Sequence, residues 1–333
     1  MAVAHGRRTH RFLTGLGPWS GPVPGERANG FGHAGGTARH HHDPVRGHRH
    51  RPGGLQPAGA AGAAHTGPGG GPVKPARPVR EALVLVAHGS RDPRHAATVA
   101  RLRARVAEQR PGLRVEVGFL DFCAPGVGQV LERLAAEGVR DVVAQPLLLT
   151  RAFHAKADVP AVLRRAASRL PGLSLVQAEV LGPSPLLTSA LERRLYEAGV
   201  RPGDRRSTGV VLASAGSSDP EAIAVIAAVA REWRHTGWCA VRPAFASACA
   251  PRTEDAVRAL RAAGVDRVAV APYVLAPGRL PDRIAAGAAA AGADVVADVL
   301  GPAPEVVDLL LRRFDEAPAV TATAGTTALE MAQ

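Results

Sequence analysis

Two histidines stand where the sequence changes character. The apolar run "LVLVA" at 83–87 stops at His88, and Gly89, Ser90, Arg91, Asp92 and Pro93 follow at once; His154 stands in "LLLTRAFHAKADVP", just after another apolar run. A neutral imidazole titrates at about pH 6.5 when unperturbed, and its nitrogen binds divalent first-row metals without gripping them as thiolates do. Two such rings on neighbouring loops could hold a metal, move protons, or do both. Taken singly, each is more often a hydrogen-bonded structural histidine, so the argument depends on where the chain puts them.

The elements that must position them can be read from the apolar pattern. Strand-like runs fall at 83–87, 114–120, 141–149 and 174–181, separated by helical patterns near 94–109, 126–137, 157–168 and 185–198. Strands alternating with helices of this length predict βαβ crossovers and a parallel sheet. Asp92-Pro93 starts the first helix well, because Asp caps exposed N–H groups and Pro is pre-set for the first helical position. In such a sheet ligands bind outside the carboxyl ends of the strands. His88 ends the first strand and His154 lies just after the third.

The second half of the chain repeats the first. "VLVAHGSRDP" at 84–93 matches "VLASAGSSDP" at 211–220, "FLDFCAP" at 119–125 matches "FASACAP" at 245–251, "QPLLL" at 145–149 matches "APYVL" at 271–275, and "VLGPSP" at 180–185 matches "VLGPAP" at 299–304. The offsets of 127, 126, 126 and 119 describe one duplicated unit with a small deletion near its end. The expected architecture is two tandem α/β lobes, 81–203 and 204–316, each a parallel sheet flanked by helices. The scaffold is written twice but the reactive residues are not: His88 aligns with Ala215, and His154 with Leu280.

Composition narrows the setting. The formal net charge of +12 suggests a polyanionic partner until it is divided along the chain. Residues 1–80 hold eleven of the 41 basic side chains and two of the 29 acidic ones, leaving 30 against 27 for the remainder. That Gly/Pro/Arg/His-rich leader has no periodic apolar face and is expected to be disordered, as is a flexible tail over 317–333. The leader's cluster around His40, His41, His42, His48 and His50 could hold a metal loosely, although a solvated biased leader is the simpler reading. It lacks interleaved aromatics, which weighs against nucleic acid. No apolar run approaches the ~20 residues of a membrane span, and no compact secretory segment opens the chain. Cys123, Cys239 and Cys249 form neither a CxxC pair nor an even framework. The expectation is a cytoplasmic protein with no nucleic-acid or membrane partner.

"LVLVAHGSRDP", followed by "VEVGFLDFCAP", "QPLLLTRAFHAKADVP" and "LGPSP", resembles the sirohydrochlorin chelatases of the class II CbiX/SirB type in their long, duplicated form. The resemblance covers about 83–315. It implies insertion of a divalent metal into sirohydrochlorin, Fe2+ toward sirohaem or Co2+ toward cobalamin, with the metal a substrate and no cofactor permanently bound. It implies His88 as metal ligand and proton acceptor, His154 as second ligand, and Leu149, Thr150, Arg151, Ala152 and Phe153 as lining for the macrocycle. Sirohydrochlorin carries acetate and propionate groups, so Arg91, Arg151 and Lys156 become candidates for binding them. The family often has Glu at two places in the segment matching "FLDFCAP". Asp121 keeps a carboxylate at the first, where it could ligate, relay protons or cap a turn, and Ala124 occupies the second. Ala152 stands where the family usually has Gly. A monomer or weak homodimer is expected, since a duplicated chain can bury internally what single-lobe relatives bury by dimerising.

Two rival readings follow from the same residues. A nucleotide-binding enzyme would need a Gly-rich strand-to-helix turn, and "AHGSRDP" is not one. A non-catalytic metal-delivery protein would use the same histidines without metallating a macrocycle.

Overall fold

The computed structural model describes residues 82–151 and 157–318. The leader at 1–80 with its histidine cluster lies outside the described residues, as do 152–156, which include Ala152, Phe153, His154 and Lys156, and nearly all of the carboxyl-terminal tail.

The strands β1 (Ala82–Ala87), β2 (Arg114–Phe119), β3 (Asp141–Pro146) and β4 (Ser174–Gln177) form one parallel sheet, in the order β2-β1-β3-β4. A second parallel sheet has the same topology: β5 (Thr208–Ser214), β6 (Ala240–Phe245), β7 (Arg267–Tyr273) and β8 (Val295–Val296), in the order β6-β5-β7-β8. The helices are α1 (Pro93–Gln109), α2 (Val127–Ala136), α3 (Val159–Arg169), α4 (Pro185–Glu197), α5 (Pro220–Arg234), α6 (Thr253–Ala262), α7 (Arg279–Ala290) and α8 (Pro304–Glu316). The central strands β1 and β5 are buried at every position, which explains why their sequences are continuous apolar runs with no polar alternation.

The ends of two expected strands differ. The apolar runs at 141–149 and 174–181 outlast the ladder, which stops at Pro146 and Gln177. Beyond those points single bonds continue, from Leu147 N to Val86 O (2.8 Å) and from Leu181 N to Leu148 O (2.8 Å). The extra apolar residues serve the walls of the loops, not the sheet.

The outer face of the first sheet packs under α2 and α3 around Val130, Leu131, Leu134 and Leu163. The outer face of the second packs under α6 and α7 around Val257, Leu260 and Ile284. The inner faces share one core, in which Leu83, Leu85, Leu187, Leu191, Leu212, Trp233 and Leu310 belong to a single cluster. The last helix of each lobe crosses over: α4 packs on β7, and α8 on β3. Ion pairs Arg94–Asp282 (2.5 Å), Arg110–Asp315 (2.6 Å) and Arg193–Glu305 (2.7 Å) also join the lobes.

One feature of the repeat is corrected. The shortening of the second lobe does not lie near its end; most of it falls between the third strand and the third helix, at 147–158 in the first lobe against 274–278 in the second. Leu280 belongs to the first turn of α7. Leu280 is therefore no counterpart of His154, which lies outside the described residues, in the stretch by which the first lobe is longer here.

Candidate active site

In the order β2-β1-β3-β4 the chain leaves β1 to one side for β2 and to the other for β3. A crevice opens at such a switch point, outside the carboxyl ends of the two strands. The residues placed there are His88, directly after β1, and the described start of the segment after β3, Leu147 to Arg151.

The turn carrying His88 is fixed by backbone contacts. Leu120 N donates to Ala87 O (2.9 Å), and Asp121 N donates to His88 O (2.9 Å). The Cys123 thiol reaches Ser90 O (3.1 Å). This close approach requires Gly89, which has φ +96°; a Cβ there would stand 1.8 Å from Asp121 O. The second lobe repeats the device with Gly216 at φ +88° against Ser247 O, and Cys249 has the place of Cys123. The cysteines thus belong to the scaffold. Asp92 ends the turn by accepting Arg94 N at 2.9 Å and starting α1.

His88 and Asp121 are both exposed at this end of the sheet. Asp121 Oδ1 accepts the Phe122 N–H at 2.8 Å, so one carboxylate oxygen caps its own turn. Arg91 is exposed, with its guanidinium 5.3 Å from the Phe122 ring centroid. Leu149 and Thr150 are half-buried. Arg151 is exposed and pairs with Glu179, an exposed pair of the kind that contributes little stability and exchanges readily. Among the described residues no group of three or more His, Cys, Asp or Glu is arranged to hold a metal.

Two residues at the site escaped the sequence reading. Phe122 is 51% exposed, adopts φ +60°, and meets the His88 ring edge-on at 6.0 Å between centroids. The equivalent Ala248 has φ +65°, so the left-handed turn belongs to the duplicated scaffold, and what is particular to the first lobe is the exposed ring it carries. The lobe comparison contained the signal, because Phe122 aligns with Ala248, just as His88 aligns with Ala215. The second is His95 on α1, half-buried 6.5 Å from the Phe119 ring, with Nδ1 enclosed and unpartnered. Burial, and after it the nearby His88, lower its pKa. It sits one turn into a helix, where a sequence pattern reads only a surface position.

Two of the cavities among the described residues bear on the lobes. One of about 270 Å³ lies where Leu147–Thr150 of the first lobe face Ser214–Ser217 and Tyr273 at the switch point of the second, with Ile223 and Ile226 of α5 as an apolar wall. The other, about 450 Å³, is bordered by Arg101, Arg105, Arg193 and Arg194 near the start of α8. The larger one includes neither His88 nor the loop after β3; the smaller includes the start of that loop, Leu147–Thr150, but none of His88, Arg91, Asp121 or Phe122.

Fold and site define a two-lobed parallel α/β protein in which two copies of one scaffold carry a single set of exposed imidazole and carboxylate groups. The CbiX family model matches residues 82–198 and again 209–317, more than half of the chain, and the protein belongs to the CbiX family. A sirohydrochlorin cobaltochelatase from Priestia megaterium is 29% identical over 61% of this chain and 67% of its own length. A sirohydrochlorin ferrochelatase from Bacillus subtilis is 27% identical over 62% of this chain and 78% of its own. Among solved structures, SirB from Bacillus subtilis with Fe3+ superposes with a TM-score of 0.63 at 26% identity, covering 71% of this chain and 95% of that one.

Proposed function

We propose that this protein inserts a divalent metal, Fe2+ or Co2+, into sirohydrochlorin at the crevice outside β1 and β3. The observation that carries the reading is the exposed His88 beside Asp121 at a strand end whose equivalent in the second lobe has Ala215 and Ser247. Relatives named as cobaltochelatase and ferrochelatase support the same chemistry with either metal.

Metallation replaces two pyrrole N–H protons with bonds from nitrogen to the metal, so the site must release a partly desolvated metal and accept protons. A neutral imidazole can do both near pH 7. In this proposal His88 and His154 ligate the incoming metal; as it passes to the pyrrole nitrogens and its bond to His88 breaks, that imidazole takes one of the two protons and water the other, and Asp121 stabilises the positive charge that results. Phe122 offers a flat apolar surface to the macrocycle, while Arg91 and Arg151 face its carboxylates; Arg151 exchanges Glu179 for one of them. Leu149, Thr150, Ala152 and Phe153 line the macrocycle's path. The cavity of about 270 Å³ is at the small end of ligand sites, about 300–1,000 Å³, and suits one edge of a tetrapyrrole.

The metal is a substrate on this account, and no resident cofactor is needed. Three free thiols support a reducing, cytoplasmic setting, and no described helix is long and apolar enough to cross a membrane. The core shared by the lobes supports a monomer or weak homodimer. Mixing the protein with sirohydrochlorin and Co2+ or Fe2+, and following the absorption change, tests the reading. Accelerated insertion is expected; metal binding without acceleration would identify a metal-delivery protein instead.

A further inference from the structure

Tyr273 closes β7 at its carboxyl end, opposite Ser214 in the ladder with β5. Its side chain is 2% exposed and lines the cavity between the lobes. The phenol oxygen is enclosed and has no hydrogen-bond partner. Buried hydroxyls almost always find a partner, because leaving one unsatisfied costs about 1–3 kcal/mol. Here the surroundings are built around the group: a Cβ on Gly182 would stand 2.6 Å from the Tyr273 oxygen and 2.2 Å from Leu149 O. Glycine at 182 thus lets the backbone approach the phenol oxygen and Leu149 O closely, at a point where any side chain would displace one of them. Burial pushes the Tyr273 pKa up, which keeps the group a neutral donor.

We propose that Tyr273 donates a hydrogen bond to a peripheral carboxylate of the tetrapyrrole, so that the lobe lacking counterparts of His88 and His154 holds the substrate's edge. This rests on the chelatase reading above. The cavity has apolar walls from Leu147, Ile223 and Ile226, which suit the hydrocarbon rim of a macrocycle. Among the described residues that line it, Tyr273 is the one whose buried side-chain polar atom lacks a partner. One of the rim's acetate or propionate groups would satisfy that group on binding, and Leu149 and Thr150 would approach from the opposite wall.

The test is Tyr273→Phe in the full chain, with steady-state metallation, equilibrium binding of metal-free sirohydrochlorin, and thermal unfolding measured side by side with wild type. A lost hydrogen bond to a charged group predicts a rise of about ten-fold or more in KM and Kd for sirohydrochlorin. The maximal rate should stay within about two-fold, and the melting temperature should not fall, because no protein partner is lost. Unchanged KM and Kd overturn the proposal while leaving the chelatase reading intact, and a lowered melting temperature with unchanged binding assigns the phenol a structural role instead. A wild-type chain that neither binds nor metallates sirohydrochlorin overturns both.

Discussion

At the scale of single residues, the site is a small set of exposed groups on a turn that the backbone holds rigidly. Phe122 illustrates the exchange of stability for exposure. Its φ of +60° costs of the order of 1–3 kcal/mol for a non-glycine residue, while its exposed contact with Arg91 returns about 0.5–1 kcal/mol. Replacing Phe122 with Gly should leave stability within about 1 kcal/mol of wild type in urea unfolding, yet raise KM for sirohydrochlorin several-fold. A large loss of stability with normal KM would make the ring a packing residue. His95 gives a pH signature. Its pKa is lower folded than unfolded, so its contribution to stability is complete above its unfolded value of about 6.5 and is lost as pH falls below it. Unfolding of His95→Gln at pH 7.5 and pH 5 should show a smaller decline than wild type shows. Equal declines would mean that other groups carry the acid sensitivity. Sequence reading put His88 at the carboxyl end of the sheet, where the structure has it beside Asp121, because residue type and strand end are both visible in one dimension. It missed Phe122 and His95, whose roles come from an unusual φ and from a helix face packed against a loop.

At the scale of elements, two contacts set the crevice: the turn at 88–90 pressed against 120–123, and the long loop after β3. Glycine makes the first possible. Gly89 and Gly112 both have positive φ, near +90°, but only Gly89 lacks room for a Cβ; at Gly112 nothing lies within 4 Å. Gly112→Ala should therefore cost about 1 kcal/mol from backbone strain alone, whereas Gly89→Ala should cost at least about 2 kcal/mol more and depress turnover. Equal costs in denaturant titrations would remove the close approach from the account. The alternation of apolar runs and amphipathic stretches made the order of elements legible. Strand ends were less so, since Leu147, Leu148, Leu149 and Leu181 are apolar for the sake of loop walls and the lobe seam. The same limitation misplaced the deletion in the second lobe, because two sequences aligned by matching motifs do not reveal which loop between the motifs has shortened.

At the scale of the molecule, duplication has produced one body, not two beads. With α4 on the second sheet, α8 on the first, and one core through both inner faces, neither lobe completes its burial alone. Calorimetry should record a single cooperative transition; two resolved endotherms would contradict this interlock. The crossovers could not be read from the sequence, because the apolar face of α4 does not say which sheet it covers. They also bring the second lobe, which lacks counterparts of His88 and His154, against the first: its switch point, with Ser214 and Tyr273, forms the wall opposite Leu149 and Thr150. On the proposed reading, catalysis divides between a reactive lobe and a holding lobe.

The central claim is that His88 performs the metal and proton chemistry at this crevice. It is tested most directly by the rate of Co2+ insertion into sirohydrochlorin by wild type and His88→Ala, followed by absorbance at saturating substrate. The account predicts a loss of at least about 100-fold, in the range of general acid–base contributions, with an unaltered melting temperature because the ring is exposed. An alanine variant that turns over at the wild-type rate would contradict it.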